Sequence, residues 1–94
     1  MDIRWAGKAA GDVTRLHDFL TLYNPAVAAR NVQALIAAPE RLIAFPRIGE
    51  SLAQYDHREV RRLLIGDYEV RYEIAGDSIY ILRIWHSREQ RQDD

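Results

Sequence analysis

His86, Ser87 and Arg88 close the last apolar run of the chain, with Arg83 three residues before them and Arg61 and Arg62 in an earlier run. A histidine beside several arginines at one edge of a sheet can hold a phosphodiester and move a proton. The alternative is that these arginines pair with Glu69, Glu73 and Glu89 and do no chemistry. Which of them share a face depends on strand register, because a slip of one residue turns every side chain over. Other chemistry finds little support. His17, His57 and His86 are too far apart for a short metal-ligand motif, and no HExxH spacing occurs. His17 lies beside an apolar helix stripe and reads as a packed or surface histidine, and His57, between Asp56 and Glu59, as a solvated one. The five glycines are isolated, no Gly-x-Ser-x-Gly elbow exists, and the chain has no cysteine. No metal or cofactor is expected.

The elements that must carry this cluster follow from periodicity. Ile3 and Trp5 alternate with polar neighbours, which predicts a strand over 2–6. Ala9, Val13, Leu16, Leu20 and Tyr23 then recur at steps of three and four, the stripe of an amphipathic helix over about 8–23. Asn24-Pro25 ends it and opens a second helix over about 25–44, since Asn caps and Pro suits the first helical position. Pro39 inside that helix predicts a kink or break. So short a connection makes the two helices an antiparallel hairpin. Residues 50–58 have no period and read as a loop. Three β-like runs follow over about 59–65, 68–74 and 79–86, joined at Gly66-Asp67 and around Gly76-Asp77, which predicts an antiparallel meander. The tail 87–94 is polar and expected to fray.

At 94 residues this is one domain, 1–94, of the α+β class: two layers, a helical hairpin on a sheet. No apolar run approaches the ~20 residues of a membrane span, and the N-terminus lacks the basic-then-apolar pattern of a signal peptide, so a cytoplasmic location is the default expectation. A net charge of −1 argues against a protein living on nonspecific phosphate contacts. Twelve of the thirteen basic residues are arginine. That bias suits bidentate pairing, although coding-DNA composition explains it equally well. In the last run, 79–85, six of seven residues are apolar, so both its faces require burial. One helical hairpin covers only one face of a sheet. A long loop, the C-terminal tail or a protein partner must cover the other, and the partner is the sharper expectation.

The order strand, helical hairpin, meander resembles the ParE/RelE superfamily of toxin–antitoxin toxins over nearly the whole chain. The resemblance rests on Ile3-Arg4-Trp5 before the first helix, Asn24-Pro25, Arg41-Leu42 with Phe45-Pro46-Arg47-Ile48-Gly49, and Val60-Arg61 with Leu63 before Gly66-Asp67-Tyr68. Tyr72, and Ile81-Leu82-Arg83-Ile84 leading into His86 and Arg88, complete it. It implies a sheet order 1-4-3-2, with the last strand central, and an antitoxin that wraps the toxin with a helix and an extended segment. Operator DNA would be met only through the antitoxin. RelE-like members are ribosome-dependent mRNA endonucleases, usually strongly basic, with a Lys/Arg-rich sheet surface and a late Tyr or His. ParE-like members poison DNA gyrase and lack that set. Net charge, the single Lys8, Leu64 where a nuclease would want a cation, and the lack of a Tyr after His86 favour the ParE-like branch. The expected contacts with target or antitoxin are Arg61, Arg83, Trp85, His86 and Arg88, with no catalysis. In the alternative nuclease reading, acting on ribosome and mRNA, His86 is the acid–base and Arg61 and Arg88 hold phosphate. A third possibility is a degenerate, non-toxic member that only binds its antitoxin.

Overall fold

The computed structural model describes residues 1–89; the expectation for the tail beyond Glu89 lies outside them. Strand β1 (Asp2–Trp5) leads into α1 (Gly7–Thr21) and α2 (Pro25–Ala37). The Asn24 side chain accepts hydrogen bonds from the Ala26 and Val27 amides at 3.0 and 3.3 Å, and so caps α2 where Pro25 begins it. Pro39 has the predicted effect. The α-helix stops at Ala37, a 3₁₀ turn spans Ala38–Glu40, and helix resumes only as α3 (Arg41–Ala44). Strands β2 (Glu50–Ser51), β3 (Glu59–Ile65), β4 (Tyr68–Ala75) and β5 (Ser78–His86) complete the chain. Gly66 and Gly76 take positive φ at the two hairpin turns.

The sheet runs β1-β5-β4-β3-β2, with β1 parallel to β5 and the other pairs antiparallel. This is the expected order with one addition. Residues 50–58, expected to be loop, contribute the two-residue edge strand β2. Its pairing of Glu50 with Arg62 and Ser51 with Arg61 is not visible as periodicity in so short a segment.

Leu16 of α1, Leu35 of α2 and Leu42 of α3 meet Leu63, Val70, Tyr72, Ile74, Ile79, Ile81 and Ile84 in one core. Ile81 and Ile84 are three residues apart, yet both lie on the helix side. A bulge allows this: Arg71 pairs with Arg83 and Tyr72 with Ile81, which leaves Leu82 over and inverts the alternation beyond it. Trp85 is thereby sent to the reverse side.

That reverse side corrects the sequence reading. It is not a greasy surface awaiting a companion. Val60 and Trp85 are buried, and so are the charged Glu69 and Arg71. The Arg71 guanidinium lies 4.6 Å from the Trp85 ring centre and donates to the hydroxyl of Tyr55, a residue of the loop before β3. Arg83 stacks on the same indole at 5.0 Å. Arginine stems and planar guanidinium groups thus cover the aromatic layer. On this side the strands β3–β5 leave only Leu64 as a well-exposed large apolar residue. Apart from Met1, the other exposed large apolar groups lie on and after the helices: Phe19, Leu22, Tyr23, Ile36, Ile43, Phe45 and Ile48.

Candidate functional site

The expected site residues divide between two ends of the sheet. Arg61 faces Tyr72 across the β3–β4 ladder, whereas His86 faces Tyr68 across β4–β5, four positions along β4. At about 3.3 Å per residue the two backbones are roughly 13 Å apart along the strand. The Arg61 guanidinium donates to the Gly49 carbonyl at 2.8 Å and pairs with Glu59 at 3.0 Å, bracing the turn that follows α3. Arg83 is held by Asp12 at 2.8 Å. Trp85 is enclosed beneath Arg71 and Arg83.

The carboxylates expected to take the cluster's arginines all have arginine partners, but of these only Arg62, on Glu69, belongs to the cluster. Glu69 meets Arg71 and Arg62, Glu73 meets Arg58, and Glu89 meets Arg15. The Arg58–Glu73 pair is bidentate, at 3.0 and 2.8 Å. The Arg58 hydrogen bonds hold the Glu73 carboxyl below the usual glutamate range, against a smaller opposing effect of burial. The Arg47 hydrogen bond does the same for Glu59. Each carboxylate therefore stays ionised in the fold at a pH where the unfolded chain has taken up a proton. Their contribution is complete above the ordinary glutamate value and disappears as pH falls through the lowered one. Thermal midpoints should accordingly drop on acidification below about pH 5. In Glu73→Gln that drop should be shallower. Superimposable pH profiles of parent and variant would contradict the assignment.

His86 and Arg88 do come together. The Arg88 amide donates to His86 Nδ1 at 3.1 Å, which leaves the proton of the neutral ring on Nε2 as a donor. The imidazole stands edge-on to Tyr68 at 5.1 Å between ring centres. Tyr68 accepts from the Asn31 side chain at 3.3 Å, and burial pushes its phenol up, so it is poorly suited to ionise as a base. His86 and Arg88 line a concavity of about 350 Å³ with Phe19 and Tyr23 of the helical hairpin. His86 also borders a second, of about 340 Å³, between Leu20, Asn31 and Tyr68. An imidazole donor and a guanidinium beside two aromatic rings can receive an anionic or amphipathic group.

The sequence reading missed what fixes this end of β5. Asp12 accepts from the Ile84 amide and from Arg83, both at 2.8 Å, and is itself buried. Arg15 donates to the Ile84 carbonyl at 2.9 Å and pairs with Glu89, whose other oxygen accepts from the His86 amide at 2.8 Å. One signal was available: Ala9, Asp12 and Leu16 follow a helical step, so an acid interrupts the buried stripe of α1. Among the described residues, no group of three His, Asp or Glu side chains is placed to share a metal ion.

This arrangement of strand, helical hairpin and meander is found in known proteins. The model of the ParE toxin of type II toxin–antitoxin system, parDE, matches residues 3–91. The chain belongs to the ParE toxin family. It is a toxin of the ParE/RelE superfamily. This ParE-family chain is 33% identical over 84 residues to Toxin RelE1 of Caulobacter vibrioides, covering 89% of itself and 90% of that protein. Toxin RelE2 of the same organism is 30% identical over 83 residues, with 88% and 91% covered. Among solved structures, a chain of the chromosomal ParDE TA system from P. aeruginosa superposes with a TM-score of 0.76 at 26% identity, over 92% of this chain and 95% of that one. A chain of the RelB-RelE antitoxin-toxin complex from Methanococcus jannaschii shares the fold, with a TM-score of 0.53 at 16% identity and 88% of each chain covered. No helix among the described residues of this ParE-family chain is long and apolar enough to cross a membrane.

Proposed function

We propose that this ParE-family toxin inhibits DNA gyrase by protein–protein contact, without chemistry of its own, and that a cognate antitoxin neutralises it by binding directly. The observation that supports the target most is the commitment of Arg61 and Arg83 to Glu59, the Gly49 carbonyl and Asp12. A phosphodiester would have to compete with those partners, and Arg61 stands far along the sheet from His86. On this reading the target meets the exposed end of β5, through His86 and Arg88 beside Phe19 and Tyr23. Of the other residues expected from the sequence as contacts, Arg83 and Trp85 support this end of β5 from its reverse side, whereas Arg61 braces the distant turn after α3. The antitoxin takes the shallow groove that Trp5 of β1 forms with Ala10, Val13 and Ile36 of the helical hairpin.

A second reading keeps one observation in its favour: His86 and Arg88 share a concavity. In an mRNA endonuclease acting on the ribosome, that pair would supply the acid–base and the phosphate ligand. Expression of the chain without an antitoxin separates the two. The gyrase reading expects DNA damage signalling, scored as the SOS response, with protein synthesis continuing at first. Immediate translation arrest without an SOS response supports the nuclease. Unimpeded growth supports a member that only binds its antitoxin.

A further inference from the structure

Strand β1 pairs with β5 only from Ser78 to Ile81. Among the described residues, no strand lies beside the outer edge of β5 beyond the bulge at Leu82, and α1 runs there instead. An open edge leaves ladder groups without partners. Here two side chains replace the missing strand. Asp12 accepts from the Ile84 amide at 2.8 Å, and Arg15 donates to the Ile84 carbonyl at 2.9 Å. Asp12 and Arg15 are bonded to each other at 3.1 Å, one turn apart on α1. From Arg15 the connection continues to Glu89, and from Glu89 back to the His86 amide. The Glu89 amide in turn donates to the His86 carbonyl at 3.0 Å. The circuit closes around residues 84–89.

We propose that Asp12, Arg15 and Glu89 are positioning residues that lock the end of β5 so that His86 and Arg88 are presented in one fixed geometry to the toxin's target. The inference rests on the proposed reading in which that end of β5 is the contact surface. Fixing a contact residue in advance lowers the ordering entropy lost on binding, so a clamp of this kind raises affinity without touching the partner. The Arg15 guanidinium suits the role, because one planar fork reaches a carbonyl and two carboxylates together.

The test uses the full-length chain with Arg15→Leu, Arg15→Lys and Glu89→Gln, followed by amide hydrogen exchange and by inhibition of purified gyrase. In Arg15→Leu, exchange at His86 and Glu89 should accelerate about tenfold or more, while core amides such as Val70 and Leu16 keep the parent's rates. The concentration needed to inhibit gyrase should rise about tenfold or more, with Arg15→Lys and Glu89→Gln in between. Unchanged exchange at residues 86–89 overturns the clamp. Faster exchange with unchanged inhibition overturns its role in target contact. Faster exchange at core and edge alike, with activity falling in step with global stability, makes Arg15 structural only and also overturns it. If the parent chain does not inhibit gyrase, the target reading fails, while the exchange measurement still decides the clamp.

Discussion

Gly49→Ala should remove about 3 kcal/mol of stability and lower the thermal midpoint by roughly 10–20 °C. A Cβ at this position would lie 2.6 Å from the Arg62 carbonyl oxygen and 2.6 Å from the Tyr72 hydroxyl. Neither atom can yield easily. The Arg62 backbone is held between β2 and β4, and Tyr72 is fully buried in the core. The Tyr72 hydroxyl also donates to the Pro46 carbonyl at 2.7 Å and accepts from the Gly49 amide at 3.0 Å, so it ties the turn after α3 to the sheet. An added methyl must therefore break this tie or push β2 from the sheet. Tyr72→Phe loses both hydrogen bonds and removes one of the crowding atoms, although the Arg62 oxygen and the ring Cε1 at 2.8 Å remain. The double variant should therefore be somewhat less destabilised than the sum of the two single ones. Thermal unfolding followed by circular dichroism measures all three. A Gly49→Ala midpoint within about 3 °C of the parent would show that the turn moves freely.

The second large effect is expected at Asp12. Asp12→Ala removes the acceptor of the Ile84 amide and the counter-charge of Arg83 and Arg15 in one step. Breaking a buried ion pair costs about 3–5 kcal/mol; partial exposure of both guanidinium groups, which can then recover water, points to the lower end, about 3 kcal/mol. Asp12→Asn keeps an oxygen that can accept from Ile84 and should lose only about half as much. Denaturant midpoints separate the outcomes: the order parent, Asn, Ala is expected with equal slopes. An Ala variant as stable as the parent would mean that Asp12 is not what closes the β5 edge.

Much of the architecture was legible because it rests on local signals. The apolar stripe of α1, the cap at Asn24, the break at Pro39 and the glycine turns of the meander each depend on neighbours in sequence. The apolar character of residues 79–85 signalled that this strand would need cover on both faces, and the family resemblance placed it inside the sheet, where it lies between β1 and β4. What neither revealed was the bulge. With regular alternation Ile81 and Ile84 would face opposite sides; the surplus Leu82 puts both in the core and turns Trp85 outward. Nor could the sequence say that Trp85 would be covered by Arg71 and Arg83, since that covering depends on which residues face one another across two ladders. The arginine clusters misled for the same reason. Arg61 and His86 seem to belong to one sheet edge until the register places them four positions apart along β4. Asp12 was visible as a polar intrusion in the helix stripe, but its partners are more than 70 residues away.

The exposed apolar surface is consequently that of the helical hairpin and not of the sheet's reverse side. An antitoxin on the hairpin groove and a target at the His86–Arg88 end would occupy separate regions of the fold. Neutralisation would then come from the size of the antitoxin or from a shift of α1, which carries both Val13 of the groove and Phe19 of the aromatic pair with Tyr23.

The most direct measurement is the reaction of purified gyrase with supercoiled DNA and the isolated chain, run beside a translating-ribosome assay with intact mRNA. The account predicts loss of supercoiling activity and a build-up of DNA held in its cut, enzyme-bound form, with the message left whole. Cleavage of ribosome-bound mRNA at defined codons, abolished by His86→Ala, with gyrase unaffected, would contradict it.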